Sequence, residues 1–230
     1  TAASKFRVLS GLRYGAPSAA DACRELKRDG ITRIVGVSLY PQQCKRFFHS
    51  SGQNLQRQAG EGAQVSLIDR LVHPLYFDAV RSSIDAALER APEAVVIFAA
   101  LYLDRTDAEE GDPYPDQLIA AVEQIMSKVQ RPHRLSWLEL GGPGLSTEEM
   151  LKKYRESGAT GVVLCPLGTL VDELEVVHGL DFLLRPIARG LGYTQVERAA
   201  SLGTSPLLLE ALAATLTAHL AHVGGLGFVG

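Results

Sequence analysis

The groups best able to handle protons and cations lie in CPLGTLVDELEVVHGLDF, Cys165 to Phe182, where Asp172, Glu173, Glu175, His178 and Asp181 follow an apolar run. Carboxylates just beyond the carboxyl end of a strand stand where α/β proteins place their ligands. On a helix, Asp172 and Glu175 share a face and can bind a cation or accept protons, and His178 follows Glu175 by three on that face. A solvated helix face has the same spacing and is the commoner use of such a run. A lone His there is more often a surface partner than a ligand.

A second set is cationic and aromatic. GLRYGAPS (11 to 18) puts Arg13 and Tyr14 at the end of the first expected strand, where an arginine can hold a ligand carboxylate through two parallel hydrogen bonds. Tyr40, in YPQQC, occupies the matching place after the second strand. GDPYP (111 to 115) reads as an ordered turn with a proline in the first turn of a helix. By contrast VVIFAALYLDRT, Val95 to Thr106, ends an apolar run with no His, Cys or Ser.

Holding these residues in place requires alternating strands and helices, and short apolar runs do alternate with amphipathic ones, the pattern of βαβ units and a parallel sheet. The expected strands are FRVLSGL (6 to 12), RIVGVSLY (33 to 40), QVSLI (64 to 68), AVVIFAAL (94 to 101), RLSWLEL (134 to 140) and GVVLCPL (161 to 167). Helices are expected from Ser18 to Asp29, stopped by Gly30, over 75 to 88, from Pro115, from the capping box Ser146-x-x-Glu149 to just before Gly158, and from Pro206. The turn-rich DRLVHP (69 to 74) is the expected boundary between two α/β lobes.

The 230 residues are 46% hydrophobic, enough for a substantial core, and the net charge of −3 is evenly mixed, without the basic stripe of a nucleic-acid surface. Nucleic acid is therefore not an expected partner. The three cysteines, Cys23, Cys44 and Cys165, form no C-x-x-C and read as buried thiols. No apolar run is read as approaching the roughly 18 residues of a membrane helix, so no transmembrane segment is expected. Beginning at Thr1, the chain reads as processed or truncated.

In order along the chain, these pieces resemble ferrochelatase, the enzyme that inserts ferrous iron into a porphyrin. LRYGAPS resembles the family's M-R-Y-x-x-P, SLYPQ its Q/L-Y-P-Q, SLIDR its next strand, VVIFAALYLD its V-x-F-S-A-H-x-L-P, and EEGDPYPDQL its G-D-P-Y-P. HRLSW resembles its R-L-x-W, VVLCPLGTLVDELEVV its V-P-x-x-F-x-S-D-H-x-E-T-L, and ERAASLGTSP its R-A-x-S-L-N-x-x-P. The resemblance runs from Arg13 to about Leu220 and implies two Rossmann-like lobes with parallel sheets. The first lobe (1 to 72) is incomplete, the second covers 73 to 205, and the helix at 206 to 222 packs back on the first.

The departures are specific. The family's proton-handling histidine in S-A-H-x-L-P is replaced by Leu101, with Tyr102 after it and Asp104 in place of the proline. Leucine neither accepts a proton nor binds Fe²⁺. In the D-H-x-E segment Asp172 and Glu175 match while the histidine has become Glu173. A further family glutamate is Gly179, and the aromatic before S-D-H is Thr169. The G-P-x-x-W-L loop is shortened to GGPGLS, and the family's first strand and lip helices precede anything present here. No Cys follows Cys165, so no iron–sulfur cluster is implied.

The resemblance therefore implies a residual catalytic set of Asp172 and Glu175, substrate contacts at Arg13, Tyr14 and Tyr40, and metal contacts at Glu173 and Glu175. The expected function is a ferrochelatase-like fold without chelatase activity, serving as an accessory subunit among other protein subunits. Two alternatives stay open: a working ferrochelatase that uses Glu175, or Glu173 aided by His178, as base, and a porphyrin- or haem-binding module. No resident cofactor is expected, although haem or Fe²⁺ is compatible with the pattern. The expected location is the matrix side of the inner mitochondrial membrane, with peripheral membrane association allowed and a plastid or the bacterial cytoplasm as fallback.

Overall fold

The computed structural model describes residues 6–45, 49–101, 110–138, 142 and 144–225. It divides into two compact units, Thr1–Ser38 with Cys44–Asp69, and Leu39–Gln43 with Arg70–Gly230.

In the first unit, α1 (Ala19–Arg28) starts at a reciprocal cap in which the Ser18 hydroxyl accepts from the Asp21 N–H and the Asp21 carboxylate accepts from the Ser18 N–H. Strands β1 (Arg33–Val37) and β2 (Gln64–Ile68) pair in parallel, with Arg33 opposite Gln64, and α2 (Ser50–Ala59) connects them. Gly36 lets that helix close on the sheet, because a Cβ there would lie 2.6 Å from Leu55 and 2.8 Å from Leu67. α1 packs against α2.

The expected strand FRVLSGL does not form. Residues 6–11 join no ladder among the described residues, and Leu12 makes only an isolated bridge with Ser18. A strand exists only beside a neighbour, and the described sheet of this unit contains β1 and β2 alone. Phe6 and Val8 are 68% and 86% exposed.

The second unit is built on a four-stranded parallel sheet in the order β4-β3-β5-β6, comprising β3 (Val95–Ala100), β4 (His133–Trp137), β5 (Gly161–Leu167) and β6 (Gln195–Arg198). β3 and β5 are buried at every position, as central parallel strands covered on both faces must be. Helix α3 (Pro74–Leu88) precedes β3, and α4 (Tyr114–Met126) and α5 (Thr147–Glu156) lie between β3 and β5 in the chain, the last opened by the expected Ser146–Glu149 box. The chain then runs helically from α6 (Leu174–Val176) through π-helical turns (Val177–Leu184) into α7 (Arg185–Gly190).

The long helix α8 (Pro206–Gly225) packs on α3 within this unit. Its stretch Pro206–Val223 is long and apolar enough to cross a membrane by length and composition, and little of it is buried. That corrects the expectation that no run approaches this length. Glu210, His219 and the interspersed threonines break the apolar run to the eye without lowering its average below that of a spanning helix.

Candidate functional site

Three adjacent strands end together in the second unit. Ala100 of β3 lies opposite Trp137 of β4 and Leu167 of β5, and the Leu138 N–H donates to the Ala100 carbonyl at 2.9 Å. The residues leaving the sheet side by side are therefore Leu101, Leu138 and Gly168. Leu101 is 4% exposed, a packed aliphatic side chain at the carboxyl end of a central strand. Tyr102 and Asp104 lie outside the described residues.

GDPYP supports this edge from below. The buried Asp112 carboxylate accepts from the Tyr114 N–H at 2.9 Å and starts α4, which drives the Tyr114 ring into the core against Trp137, 6.0 Å between ring centres. The ring passes under Gly168, whose φ of +93° belongs to the left-handed region and whose missing Cβ would run into the Tyr114 hydroxyl.

The acidic segment is not one helix, so Asp172 and Glu175 do not share a helical face. Asp172 sits in the turn before α6, and Glu173 flanks that helix. The Asp172 carboxylate accepts from both Arg198 nitrogens, at 2.9 and 3.1 Å, and from the Ser201 hydroxyl at 2.6 Å. These bonds hold its pKa below the ordinary aspartate value, so it is a structural anion tying the loop to β6.

Glu173 is shifted the other way. It is half-buried; the Tyr40 hydroxyl donates to it at 3.3 Å, and the Thr169 hydroxyl lies 2.9 Å from its other oxygen. Burial raises its pKa above the ordinary glutamate value; the two hydroxyls oppose that, and the charge of Glu175 adds to it. This carboxyl group can hold a proton closer to neutrality than an open one.

Glu175 and His178 are exposed and line a cavity of about 430 Å³ whose other walls include Leu138, Leu183 and Ile187. Leu138 packs against Gly179, 3.0 Å from where a Cβ would stand. A longer side chain at 179 would have to displace it. Among the described residues, no group of three or more His, Cys, Asp or Glu side chains is placed to hold a metal ion. The three cysteines are buried and unbridged, and burial pushes the Cys165 thiol up to about 12, so it stays protonated.

Arg13 and Tyr14 belong to the first unit. The Arg13 guanidinium lies 4.8 Å from the centre of the Tyr14 ring and also donates to the Ser50 hydroxyl, and Tyr14 is 83% exposed. The structure thus brings Tyr40 and Glu173 together in the second unit, places Glu175 at a separate cavity there, and pairs Arg13 with Tyr14 in the first.

The family model for ferrochelatase matches residues 1–220. The chain belongs to the ferrochelatase family. It is 32% identical to the ferrochelatase of Geotalea uraniireducens, covering 90% of this chain and 69% of that one. It is 31% identical to human mitochondrial ferrochelatase, covering 96% of this chain and 56% of that one. The fold also matches SirB from Bacillus subtilis, solved with Fe³⁺, at a TM-score of 0.68 and 14% identity over 92% of this chain and 81% of that one. A further match is DR2241 from Deinococcus radiodurans, a multi-domain protein with structural similarity to chelatases. Its TM-score is 0.55 at 15% identity, over 86% of this chain and 49% of that one. The family fold is thus an α/β fold with parallel sheets, as expected from sequence.

In this family member, sequence alone did not reveal the Asp172–Arg198–Ser201 cluster or the Tyr40–Glu173 contact. Arg198 and Ser201 lie in the recognisable ERAAS stretch, but a pairing across 26 residues follows no local spacing rule. Thr169, seen in sequence only as a lost aromatic, bonds Glu173, the carboxyl group whose pKa is raised by burial.

Proposed function

We propose that this ferrochelatase-family chain keeps the chelatase fold without catalysing metal insertion, and serves as an accessory subunit in a larger assembly. The observation that carries this reading is Leu101, packed at the carboxyl end of β3 where the family pattern has its proton-handling histidine. Inserting Fe²⁺ into a porphyrin releases two pyrrole protons, and an aliphatic side chain can take neither. Leu138 packed on Gly179 supports the same reading, because it occupies the room an acidic side chain at 179 would need. Asp172 is committed to Arg198 and Ser201 and adds no free base.

A second reading has its own observation: the raised pKa of Glu173 suits a proton acceptor near neutrality, which an open carboxylate would not be. On that reading the chain is a working chelatase, with Glu173 as base and Fe²⁺ and porphyrin as substrates. Anaerobic incubation of the purified chain with protoporphyrin IX and Fe²⁺ separates the two. Fluorescence that decays only at the spontaneous rate supports loss of chelation; an enzyme-dependent decay abolished by Glu173→Gln supports the second reading.

Porphyrin binding is a separate matter from chelation. Arg13, exposed beside Tyr14, has the chemistry to hold a propionate, and a haem titration with a saturable Soret shift that weakens in Arg13→Ala would establish that role. A mitochondrial location fits the human relative, whose name is mitochondrial ferrochelatase, and a bacterial one fits the Geotalea relative.

A further inference from the structure

We infer that a second copy of this chain packs on the exposed strip running from α6 through the π-helical turns into α7, antiparallel about a two-fold axis at Phe182. Leu174, Phe182 and Leu183 are 80%, 68% and 48% exposed within one short segment. Elsewhere in this unit the exposed large apolar side chains occur singly along the chain. A contiguous exposed apolar strip marks an interaction surface, whereas single exposed residues do not.

Local geometry keeps the strip straight. Leu174, His178, Phe182 and Pro186 follow one another at four-residue steps and are all exposed, while Val176, Leu180, Leu184 and Ala188, two residues out of phase, are all buried. Four-residue steps drift around an α-helix, which turns every 3.6 residues. The wider π-helical turns at Val177–Leu184 cancel that drift and hold both rows in line.

The charges at the two ends select the occupant. Glu175 and Arg189 are both exposed and each lies seven residues from Phe182, on opposite sides. The ion pairs of this segment join Asp181 to Arg185 and Arg198, and Asp172 to Arg198. Among the described residues, Glu175 and Arg189 enter none. A two-fold axis repeats every contact with the partners exchanged. With the axis at Phe182 the two rings meet, His178 faces the partner's Pro186, and each Glu175 comes level with the partner's Arg189. Two new ion pairs result, one at each end. A parallel arrangement would instead set glutamate on glutamate and arginine on arginine, which like-charge repulsion disfavours.

Glu175 and His178 also line the cavity of this unit, so the partner's Arg189 arrives at its mouth and supplies a cation there. The strip from Leu174 to Arg189 is about 22 Å long and about 10 Å wide, small beside the ~800 Å² per partner of a standard interface. The dimer is therefore weak and concentration-dependent.

The test is sedimentation equilibrium of the purified chain from micromolar to millimolar concentration, where a monomer–dimer equilibrium is expected. Phe182→Asp alters a side chain 68% exposed, so it should leave the melting temperature unchanged and weaken the dimer at least tenfold. Glu175→Arg repels the partner's Arg189 at both ends and should weaken it as much. Combined with Arg189→Glu, it exchanges the charges and should restore association to within about threefold of the wild type. Under mild oxidation Phe182→Cys should cross-link two copies at that position, and Leu209→Cys, 51% exposed on α8, should not. A chain that stays monomeric throughout overturns the inference. So does a dimer that keeps its strength in Phe182→Asp, or one that the double exchange fails to restore. None of these outcomes depends on whether the chain chelates metal.

Discussion

Gly168→Ala should destabilise the second unit far more than adding one methyl group to a loop would suggest. The residue has φ of +93°, a conformation that costs an L-residue about 1–2 kcal/mol. The new Cβ would collide with the Tyr114 hydroxyl and stand 3.2 Å from the ring carbon bearing it, on a ring only 1% exposed that cannot swing away. Forcing extra volume into a packed core costs about 1–3 kcal/mol more. The sum is about 2–5 kcal/mol, and at about 2–4 °C per kcal/mol for a unit of this size the melting temperature should fall by roughly 5–15 °C. Calorimetry of the wild type, Gly168→Ala, Tyr114→Phe and the double variant separates the two contributions. Removing the hydroxyl should recover about 1 kcal/mol of the alanine's cost and leave the backbone part in place. A fall below 2 °C for Gly168→Ala, or strict additivity in the double variant, would refute the placement of Tyr114 under the β5 loop.

Arg198→Ala should release the Asp172 loop. Asp172 is 47% exposed, so after allowance for solvent screening the ion pair contributes about 1 kcal/mol. Its folded pKa is lowered, so this stability is present above the ordinary aspartate value and is lost as pH falls through the folded one. Urea midpoints of wild type and variant should differ at pH 7 and converge below about pH 4. Glu173→Gln has the opposite sign. A carboxyl group with a raised folded pKa makes stability fall as pH rises from about 4.3 to that folded value. The glutamine variant should lose this fall, and a pH profile identical to the wild type's would contradict the burial of Glu173. Leu101→His places an imidazole at a site 4% exposed and should cost about 1–3 kcal/mol in chemical denaturation. If the base is the only group missing, the same variant gains iron insertion; if Leu138 also obstructs the site, activity requires Leu138→Ala as well.

Much of both units was legible in sequence because its determinants are local. QVSLI and GVVLCPL are strands over the residues expected, and Ser18 and Ser146 cap the helices they were expected to start, because caps and apolar runs act within a turn or two. FRVLSGL has the same local character and fails as a strand because pairing is not local: its apolar residues need a neighbour that the described sheet does not supply. β6 was missed for the converse reason, since QVER has little strand character of its own and is recruited by the edge of β5. The π-helical turns at Val177–Leu184 carry no periodic sign, because their extra residue per turn breaks the spacing by which helices are recognised. At the site, the residue types were visible and their pairings were not. Asp172 and Glu175 looked like one helical face, but Arg198, arriving from β6, holds Asp172 before α6 with a lowered pKa and leaves Glu173 as the carboxyl group whose pKa is raised.

The most direct test of the central claim is the rate of Fe²⁺ insertion into protoporphyrin IX by the wild-type chain, measured anaerobically by fluorescence across pH 5 to 9 beside an active ferrochelatase. With Leu101 at the end of β3, the rate should equal the protein-free rate at every pH. A protein-dependent rate with a single pH midpoint above the ordinary glutamate value, lost in Glu173→Gln, would contradict the account and assign Glu173 as the base.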